Sequence, residues 1–200
     1  MYLQKSISRI GVVFVLGLML VVPTEAWAMK YMSMKDAIKH FIPPGSKPFK
    51  VQKTIPAAKL EEIKARFNLR ATADFKEKIS KGPYTFFIAR DPAGNPTAYI
   101  VILEQYWRTC HHKYAIGITP DGKIKEVVVT DLNCPYAYPI NRKSFLKQFK
   151  GKHVPPGKKP GAEVGKDVDA VSGATASSDA TAIVARRALA LYGLFFSQQR

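Results

Sequence analysis

The sequence has few cysteines, few acidic residues and no apolar run as long as a typical membrane span. Its two cysteines exclude a disulfide-dense secreted scaffold, and the absence of a Cys-x-x-Cys-His run excludes the usual haem attachment signature. Acidic residues number 15 against 31 basic ones, which gives a formal net charge of +16. The remaining composition is globular, 46% hydrophobic and 11% aromatic over 200 residues, and suits one domain with a short leader.

The N-terminus has the pattern of a secretory signal peptide. Lys5 and Arg9 precede an apolar run from Ile10 to Val22, and Ala26-Trp27-Ala28 places small residues where a signal peptidase requires them. A membrane-spanning helix needs about 20 apolar residues, and this run is shorter. We therefore expect residues 1–28 to be cleaved after Ala28 and the protein to be periplasmic. The alternative is an uncleaved membrane anchor with the domain facing the periplasm.

The excess of positive charge raises the question of an anionic partner. Removing the leader takes away only Lys5, Arg9 and Glu25, so the mature chain stays strongly basic. Export and the lack of base-stacking motifs argue against nucleic acid. We expect an acidic redox protein such as a cytochrome, a membrane redox complex, or peripheral contact with anionic lipid headgroups. A solvated lysine-rich surface explains the charge equally well.

The first third of the mature chain is predicted to be a helical segment over residues 29–80. Ser33 to Phe41 has the pattern of a short helix, and Pro56 suits the first turn of a second helix that ends near Asn68. Residues 45–55 are basic and are predicted to be irregular.

The middle of the chain has the alternating pattern of strands, and the C-terminal part returns to helix. Turn-forming residues at Asp91–Pro96 and Pro120–Lys123 each separate two apolar runs, which predicts two hairpins. The fold class is α+β, a small antiparallel sheet built from two hairpins and packed against N-terminal and C-terminal helices. The predicted strands are Tyr84–Ala89, Ala98–Leu103, Tyr114–Thr119 and Ile124–Thr130, and the predicted later helices are Asn141–Phe149 and about Asp179–Phe196.

The second hairpin brings the two cysteines together. With Asp121 and Gly122 at its tip, Cys110 and Cys134 lie opposite each other to within one residue, just past the open end of the ladder. Neighbouring strands provide the Cα separation that a disulfide requires, so we expect a structural disulfide. A metal site at Cys110-His111-His112 would need ligands from distant loops, and the usual ligand spacing is absent.

The chemically distinctive segment runs from Asp169 to Thr175. It has an acidic residue, two apolar residues and then Ser172, Gly173, Ala174 and Thr175, just before a helix. The small residues leave room beside the Thr175 hydroxyl, and Ser177 or Ser178 is expected to cap the helix. The start of a helix favours a phosphate there. A turn of small residues with Ser and Thr as caps is the plain structural alternative.

The same run, Asp169-Ala170-Val171-Ser172-Gly173-Ala174-Thr175, resembles the flavinylation motif of the FMN-binding domain family. That family includes the FMN-carrying C subunit of the sodium-pumping NADH:quinone reductase and the G subunit of the Rnf complex. The hairpin Tyr114–Asp131, the segment Phe145–Lys152 and the alanine-rich last helix are similar too. The resemblance therefore implies an FMN-binding domain over residues 81–200.

The resemblance also implies a covalent cofactor. In the family, a magnesium-dependent flavin transferase takes FMN from FAD and links it by a phosphoester to the last motif residue, here Thr175. Asp169, Ser172, Gly173 and Ala174 would shape the loop or be recognised by the transferase. Ser177, together with Tyr136 and Tyr138 as ring neighbours, completes the candidate FMN site.

The expected function is electron transfer rather than independent catalysis. The larger relatives keep a membrane helix and commonly a Glu-Thr-containing glycine turn, whereas this chain has a removable leader and Asn133–Tyr138 at that turn. A stand-alone periplasmic carrier, or a subunit of another redox system, fits these departures. The alternatives are a flavin-dependent reductase of a small substrate and a basic binding module without redox chemistry.

Overall fold

Six antiparallel strands and four helices make up the computed structural model, which describes residues 29–67, 82–107, 110–134, 137–154 and 161–197. The expected signal peptide, Asn68 and Tyr136 lie outside the described residues. The elements are strands β1 (Met29–Lys30), β2 (Lys47–Lys53), β3 (Tyr84–Arg90), β4 (Pro96–Trp107), β5 (Cys110–Ile118) and β6 (Ile124–Asn133), helices α1 (Met34–Phe41), α2 (Ala57–Phe67), α3 (Lys143–Leu146) and α4 (Thr175–Phe195), and 3-10 turns at Tyr138–Asn141 and Lys147–Phe149.

Both predicted hairpins are present, and they form the centre of one sheet with the strand order β1-β6-β5-β4-β3-β2. In the second hairpin Gly122 has a φ of 84°, a backbone conformation that favours glycine. Near this turn Gly117 lies opposite Glu126, and beyond an irregularity after Lys113 the pairing shifts by one residue. The shift carries the ladder to its open end, where the expected disulfide is found.

The disulfide joins Cys110 to Cys134, whose Cα atoms are 5.0 Å apart. Both residues are buried at the end of the β5–β6 ladder, and 24 residues separate them along the chain. Closing a loop of this length restricts the unfolded chain and so favours the native state. The bond therefore fixes the two strand ends from which the chain leaves the sheet.

The strand β2 differs from the prediction that residues 45–55 are irregular. It pairs with β3 over its whole length, from Lys47 opposite Arg90 to Lys53 opposite Tyr84. Its lysines obscure the strand pattern, but lysine and proline are residues that natural proteins place on sheet edges. Pro48 and Lys50 are both exposed on this edge strand. The short β1, which pairs with β6, was not predicted either.

Helices cover the two faces of the sheet differently. On one face α4 packs along β4 and β5, α2 packs against α4, and the larger core lies between them. On the other face α1 contacts β4, β5 and β6 over a smaller cluster centred on Phe41 and Ile100. The predicted first helix is present as α1, and Ser33 caps it, since its hydroxyl accepts a hydrogen bond from the Asp36 N–H at 3.1 Å. Of the described helices, none has both the length and the apolar character needed to cross a membrane.

The close packing of α1 on the sheet depends on Gly117. A Cβ at this position would lie 2.3 Å from Cδ1 of Phe41, so the bare backbone is what allows the ring to lie against β5. Gly117→Ala is expected to destabilise the fold by about 1–3 kcal/mol through this overpacking. Gly193→Ala is the matched control, because a Cβ there meets open space within α4 and alanine favours helix. Urea unfolding of both variants measures the difference, and equal stabilities would contradict the packing account.

Candidate functional site

The last helix begins four residues earlier than the sequence pattern indicated. Thr175 is its first residue and Ala174 its N-cap, so Ser177 and Ser178 are buried helix residues and the prediction that they cap α4 is wrong. The Ser178 hydroxyl instead accepts a hydrogen bond from the Val171 N–H and donates one to the Ala174 carbonyl, each at 3.0 Å. Ser178 therefore ties the motif loop to the helix from within.

The motif itself is a tight turn. The Ala174 N–H donates to the Val171 carbonyl at 2.9 Å, and Gly173 has a φ of 76°, as the third residue of a type II turn requires. A Cβ on Gly173 would meet nothing within 4 Å, so the glycine serves the backbone conformation and the surrounding space is open. Ser172 and Gly173 are both exposed. The turn thus presents its outer side to solvent.

Thr175 is exposed at the positive end of a 21-residue helix. The first helical hydrogen bond runs from the Ser178 N–H to the Ala174 carbonyl, which leaves the N–H groups of Thr175, Ala176 and Ser177 without helical acceptors. Ala174 has no side-chain oxygen to cap them. A hydroxyl beside unpaired N–H groups at a helix start is an arrangement that favours a phosphate.

Gln148 holds the beginning of the motif. Its side-chain oxygen accepts a hydrogen bond from the Asp169 N–H at 2.8 Å, and its nitrogen donates to the Asp169 carbonyl at 3.2 Å. The Asp169 side chain itself is exposed. Sequence reasoning missed Gln148, although it marked Phe145–Lys152 as a segment that accompanies the motif.

A second set of hydrogen bonds holds the chain just before the motif, at Asp167. Its carboxylate accepts hydrogen bonds from Lys152 Nζ at 2.6 Å, the Ala162 N–H at 2.9 Å and the Glu163 N–H at 2.6 Å. Partial burial alone would raise the pKa of this carboxyl, but the hydrogen bonds from Lys152 and the two backbone groups outweigh it and hold the pKa below its usual value. Arg186 of α4 donates to the Ala162 carbonyl at 2.7 Å, which joins this loop to the helix.

These features lie inside a segment that matches a known family. Residues 106–190 match the sequence model of the family described as FMN-binding domain. Over these residues the chain is similar to that family. None of the curated proteins matches the chain. Among solved structures, the crystal structure of Shewanella oneidensis NqrC is similar to it, with 20% sequence identity, coverage of 79% of this chain and 80% of that chain, and a TM-score of 0.45.

The residues at the start of α4 fit the phosphate end of FMN. The exposed hydroxyl of Thr175, the open space around Gly173 and the first-turn N–H groups that lack helical acceptors all lie between residues 173 and 177. No carboxylate lies in that first turn to repel an anion. The match over residues 106–190 includes all of these positions.

Two tyrosines, the candidate ring neighbour Tyr138 and the nearby strand residue Tyr106, have different surroundings. Tyr138 is half-exposed on the 3-10 turn that contacts α4, so it lies close to the helix that carries Thr175. Tyr106 stacks on His111, with ring centroids 4.3 Å apart and planes 12° apart. That face of Tyr106 is already occupied by a protein side chain.

The interior of the fold also contains a polar group that sequence reasoning did not find. Arg187, buried on α4, donates to the Gln105 side-chain oxygen at 2.7 Å and to the Glu104 carbonyl at 3.0 Å. The Arg186-Arg187 pair stands out in the sequence, but the partners of Arg187 lie more than 80 residues away. This buried arrangement fixes α4 against β4.

His112 lies beside this group, opposite Gln105 in the β4–β5 ladder. Its side chain is fully buried, and within the described residues neither ring nitrogen has a hydrogen-bond partner. Burial, with a smaller contribution from the charge of His111, lowers its pKa to about 4. The imidazole is therefore neutral at physiological pH.

The orientation of α4 places its first residue at the same end of the sheet as His112. Thr181 accepts a hydrogen bond from the Tyr114 hydroxyl at 2.9 Å, and the Tyr192 hydroxyl donates to the Pro120 carbonyl at 2.5 Å. The helix thus runs in the same direction as β5, and Thr175 lies about 9 Å before Thr181 along its axis. The start of α4 lies toward the Cys110 end of β5.

The Cys-His-His run gives no metal centre in the part of the chain that the structure describes. No three His, Cys, Asp or Glu side chains there are grouped to hold an ion. Cys110 is bonded to Cys134, so neither sulfur is a thiolate ligand. His111 contacts Glu104 at 3.0 Å, and the same carboxylate pairs with Lys113 at 2.8 Å.

Proposed function

We propose that this protein is an exported electron carrier whose FMN is linked through its phosphate to the Thr175 hydroxyl. The observation that carries the proposal is the exposed Thr175 hydroxyl at the start of α4, inside the segment that matches the FMN-binding domain family. The turn at Gly173 presents this hydroxyl on the surface, where a second enzyme has access to it. The buried Ser177 and Ser178 offer no such access.

The attachment step balances as a phosphoryl-type transfer. The Thr175 oxygen attacks the phosphorus on the FMN side of FAD, the phosphoanhydride bond breaks and AMP leaves, while the hydroxyl proton passes to the transferase or to solvent. A magnesium-dependent flavin transferase supplies the catalysis, and no electrons are exchanged. The first-turn N–H groups of α4 would hold the phosphate of the bound FMN.

Once bound, FMN supplies an isoalloxazine ring that accepts and returns one or two electrons. The described residues hold the attachment loop with the Gln148 and Asp167 contacts, and Tyr138 lies on a turn that contacts α4. We propose a carrier that exchanges electrons with protein partners, because the contacts that these residues make serve to position the attachment loop.

Export is part of the proposal. The leader pattern over residues 1–28 and the Cys110–Cys134 disulfide both favour an oxidising compartment. N-terminal sequencing of the protein recovered from the periplasm is expected to begin at Met29. A chain that remains membrane-bound with its leader intact would support the anchored alternative.

One experiment tests the covalent cofactor. The chain is produced in the periplasm with a flavin transferase, unfolded in guanidinium, freed of small molecules, and examined by intact mass and visible absorption. We expect the mass of one FMN added as an ester and a flavin spectrum that remains after unfolding. The same chain produced without transferase is expected to be colourless. An unmodified chain, when the transferase modifies a control substrate, would contradict the proposal and leave a basic module without redox chemistry.

Gln148 is expected to control the rate of attachment. Gln148→Ala removes both hydrogen bonds to the Asp169 backbone, so the motif spends less time in the conformation that the transferase binds. Losing about 1–1.5 kcal/mol of local order corresponds to a rate about 5–10 times lower. Gln148→Glu keeps the acceptor for the Asp169 N–H, so its attachment rate is expected to lie between those of the native chain and Gln148→Ala. Time courses of FMN incorporation measure this, and equal rates with all three side chains would exclude a positioning role.

A further inference from the structure

The segment after β6 is basic, and of its described lysine and arginine side chains only Lys152 is paired, with Asp167. From Leu132 to Ala162 the sequence contains no acidic residue. Within this stretch the structure describes Arg142, Lys143, Lys147 and Lys150, all of them exposed. We call these four residues the cationic face.

The buried side of the same segment explains why the charges share one face. Phe145 and Phe149 are buried and pack edge to face, with ring centroids 5.4 Å apart. Lys143 and Lys147 are four residues apart in the same helical segment, Lys150 follows directly after it, and all three are exposed while the rings are buried. The phenylalanines thus hold the lysines outward.

In the part of the chain that the structure describes, the cationic face lacks neutralising partners, as do other exposed lysines such as Lys35, Lys39 and Lys50. Within the described residues, none of its four side chains makes an ion pair or a hydrogen bond. Some lysines are paired close to their own position in the chain, as in Lys59 with Glu62, Lys123 with Asp121 and Lys166 with Glu163. Like charges four residues apart in a helical segment repel one another. An anionic surface docked there would offset that repulsion.

The position of the cationic face relates it to the attachment loop. Gln148, between Lys147 and Lys150, makes the two hydrogen bonds that hold Asp169, and Lys152 binds Asp167 at 2.6 Å. The loop that leads to Thr175 is therefore fastened directly to the charged segment. A protein docked on the segment lies beside the loop that bears the attachment residue.

We propose that the cationic face is the docking surface for an acidic redox protein that exchanges electrons with the flavin on Thr175. This inference rests on the proposed function. Charge complementarity carries it, since a cluster of unpaired cations raises the encounter rate with an anionic surface and orients it. A lipid surface fits less well, because interfacial segments present large apolar side chains, whereas Phe145 and Phe149 are buried.

The test compares two triple variants of the full, flavinylated protein. The first reverses charge on the cationic face with Lys143→Glu, Lys147→Glu and Lys150→Glu. The control makes the same charge change at the exposed Lys35, Lys39 and Lys50, on α1 and β2. Electron transfer from the reduced protein to an acidic c-type cytochrome, with a basic one for comparison, is followed by stopped flow at low and high salt.

The first triple is expected to lower the second-order rate constant with the acidic cytochrome at least about 10-fold at low salt and to weaken its salt dependence. The control triple is expected to change it less than about 3-fold. With the basic cytochrome, the first triple is expected to be the faster protein. Equal losses in the two triples would overturn the proposal, since net charge alone would then explain the rates.

Binding without electron transfer separates this inference from the proposed function. If the chain is never flavinylated, no variant reduces any cytochrome, and the proposed function fails. Affinity of the flavin-free chain for the oxidised acidic cytochrome still tests the surface, and at least about a 10-fold loss in the first triple alone supports it. Binding of the native chain and the first triple to phosphatidylglycerol vesicles is the last measurement, and it tests for a membrane surface. Loss of vesicle binding in the first triple, with cytochrome affinity unchanged, would overturn the inference in favour of a membrane surface.

Discussion

Thr175→Val is expected to abolish covalent flavin completely while leaving the fold intact. Valine has nearly the shape of threonine but lacks the oxygen that forms the phosphoester. Because Thr175 is exposed at the first helical position, the substitution removes no buried contact, and stability should change by less than about 0.5 kcal/mol. Intact mass and visible absorption after unfolding measure the flavin, and urea unfolding checks the fold.

Neighbouring hydroxyls supply the controls for this result. Thr175→Ser keeps a hydroxyl at the same helix start and is expected to retain the flavin. Ser172→Ala removes an exposed hydroxyl three residues away and is expected to retain it too, with a slower reaction if the transferase contacts this turn. Flavin that persists in Thr175→Val and disappears in Ser172→Ala would move the attachment site to Ser172.

The parts of the fold that the sequence predicted are those set by neighbouring residues. The turn at Pro120–Lys123 determines the register of β5 and β6, and that register brings Cys110 opposite Cys134. Ser33 and Asp36, three positions apart, define the start of α1 through hydrogen bonds to each other. The small-residue motif before α4 was visible because its chemistry is contained in seven consecutive residues.

The parts that were missed depend on distant partners or on an atypical position. β2 forms because β3 offers a complete ladder of partners, although its own lysines are typical of irregular surface segments. The Gln148–Asp169 and Arg187–Gln105 contacts join residues 21 and 82 positions apart, which no local pattern reports. The start of α4 was misplaced because serine is a common cap, and only packing decides that Ser177 and Ser178 are inside the helix.

The second large effect is expected from acid, through His112. Its pKa in the folded protein is lowered to about 4 by burial and by the nearby charge of His111, against 6.5 for the exposed group. The unfolded chain therefore binds a proton at this position between these two values and the folded chain does not. Stability contributed by the neutral imidazole is present above pH 6.5 and is lost as the pH falls toward 4, by about 3 kcal/mol in total.

His112→Leu isolates this contribution from the carboxyl groups that titrate in the same range. Leucine suits the buried position and removes a polar ring that has no partner among the described residues, so the variant should be more stable at pH 7 by about 1 kcal/mol. Its stability should also fall less between pH 6.5 and pH 4, by about 3 kcal/mol relative to the native chain. His153→Leu, at an exposed histidine, should keep the native acid sensitivity. Urea unfolding across this pH range measures all three proteins, and parallel curves for the native chain and His112→Leu would show that the buried ring is not the acid-sensitive group.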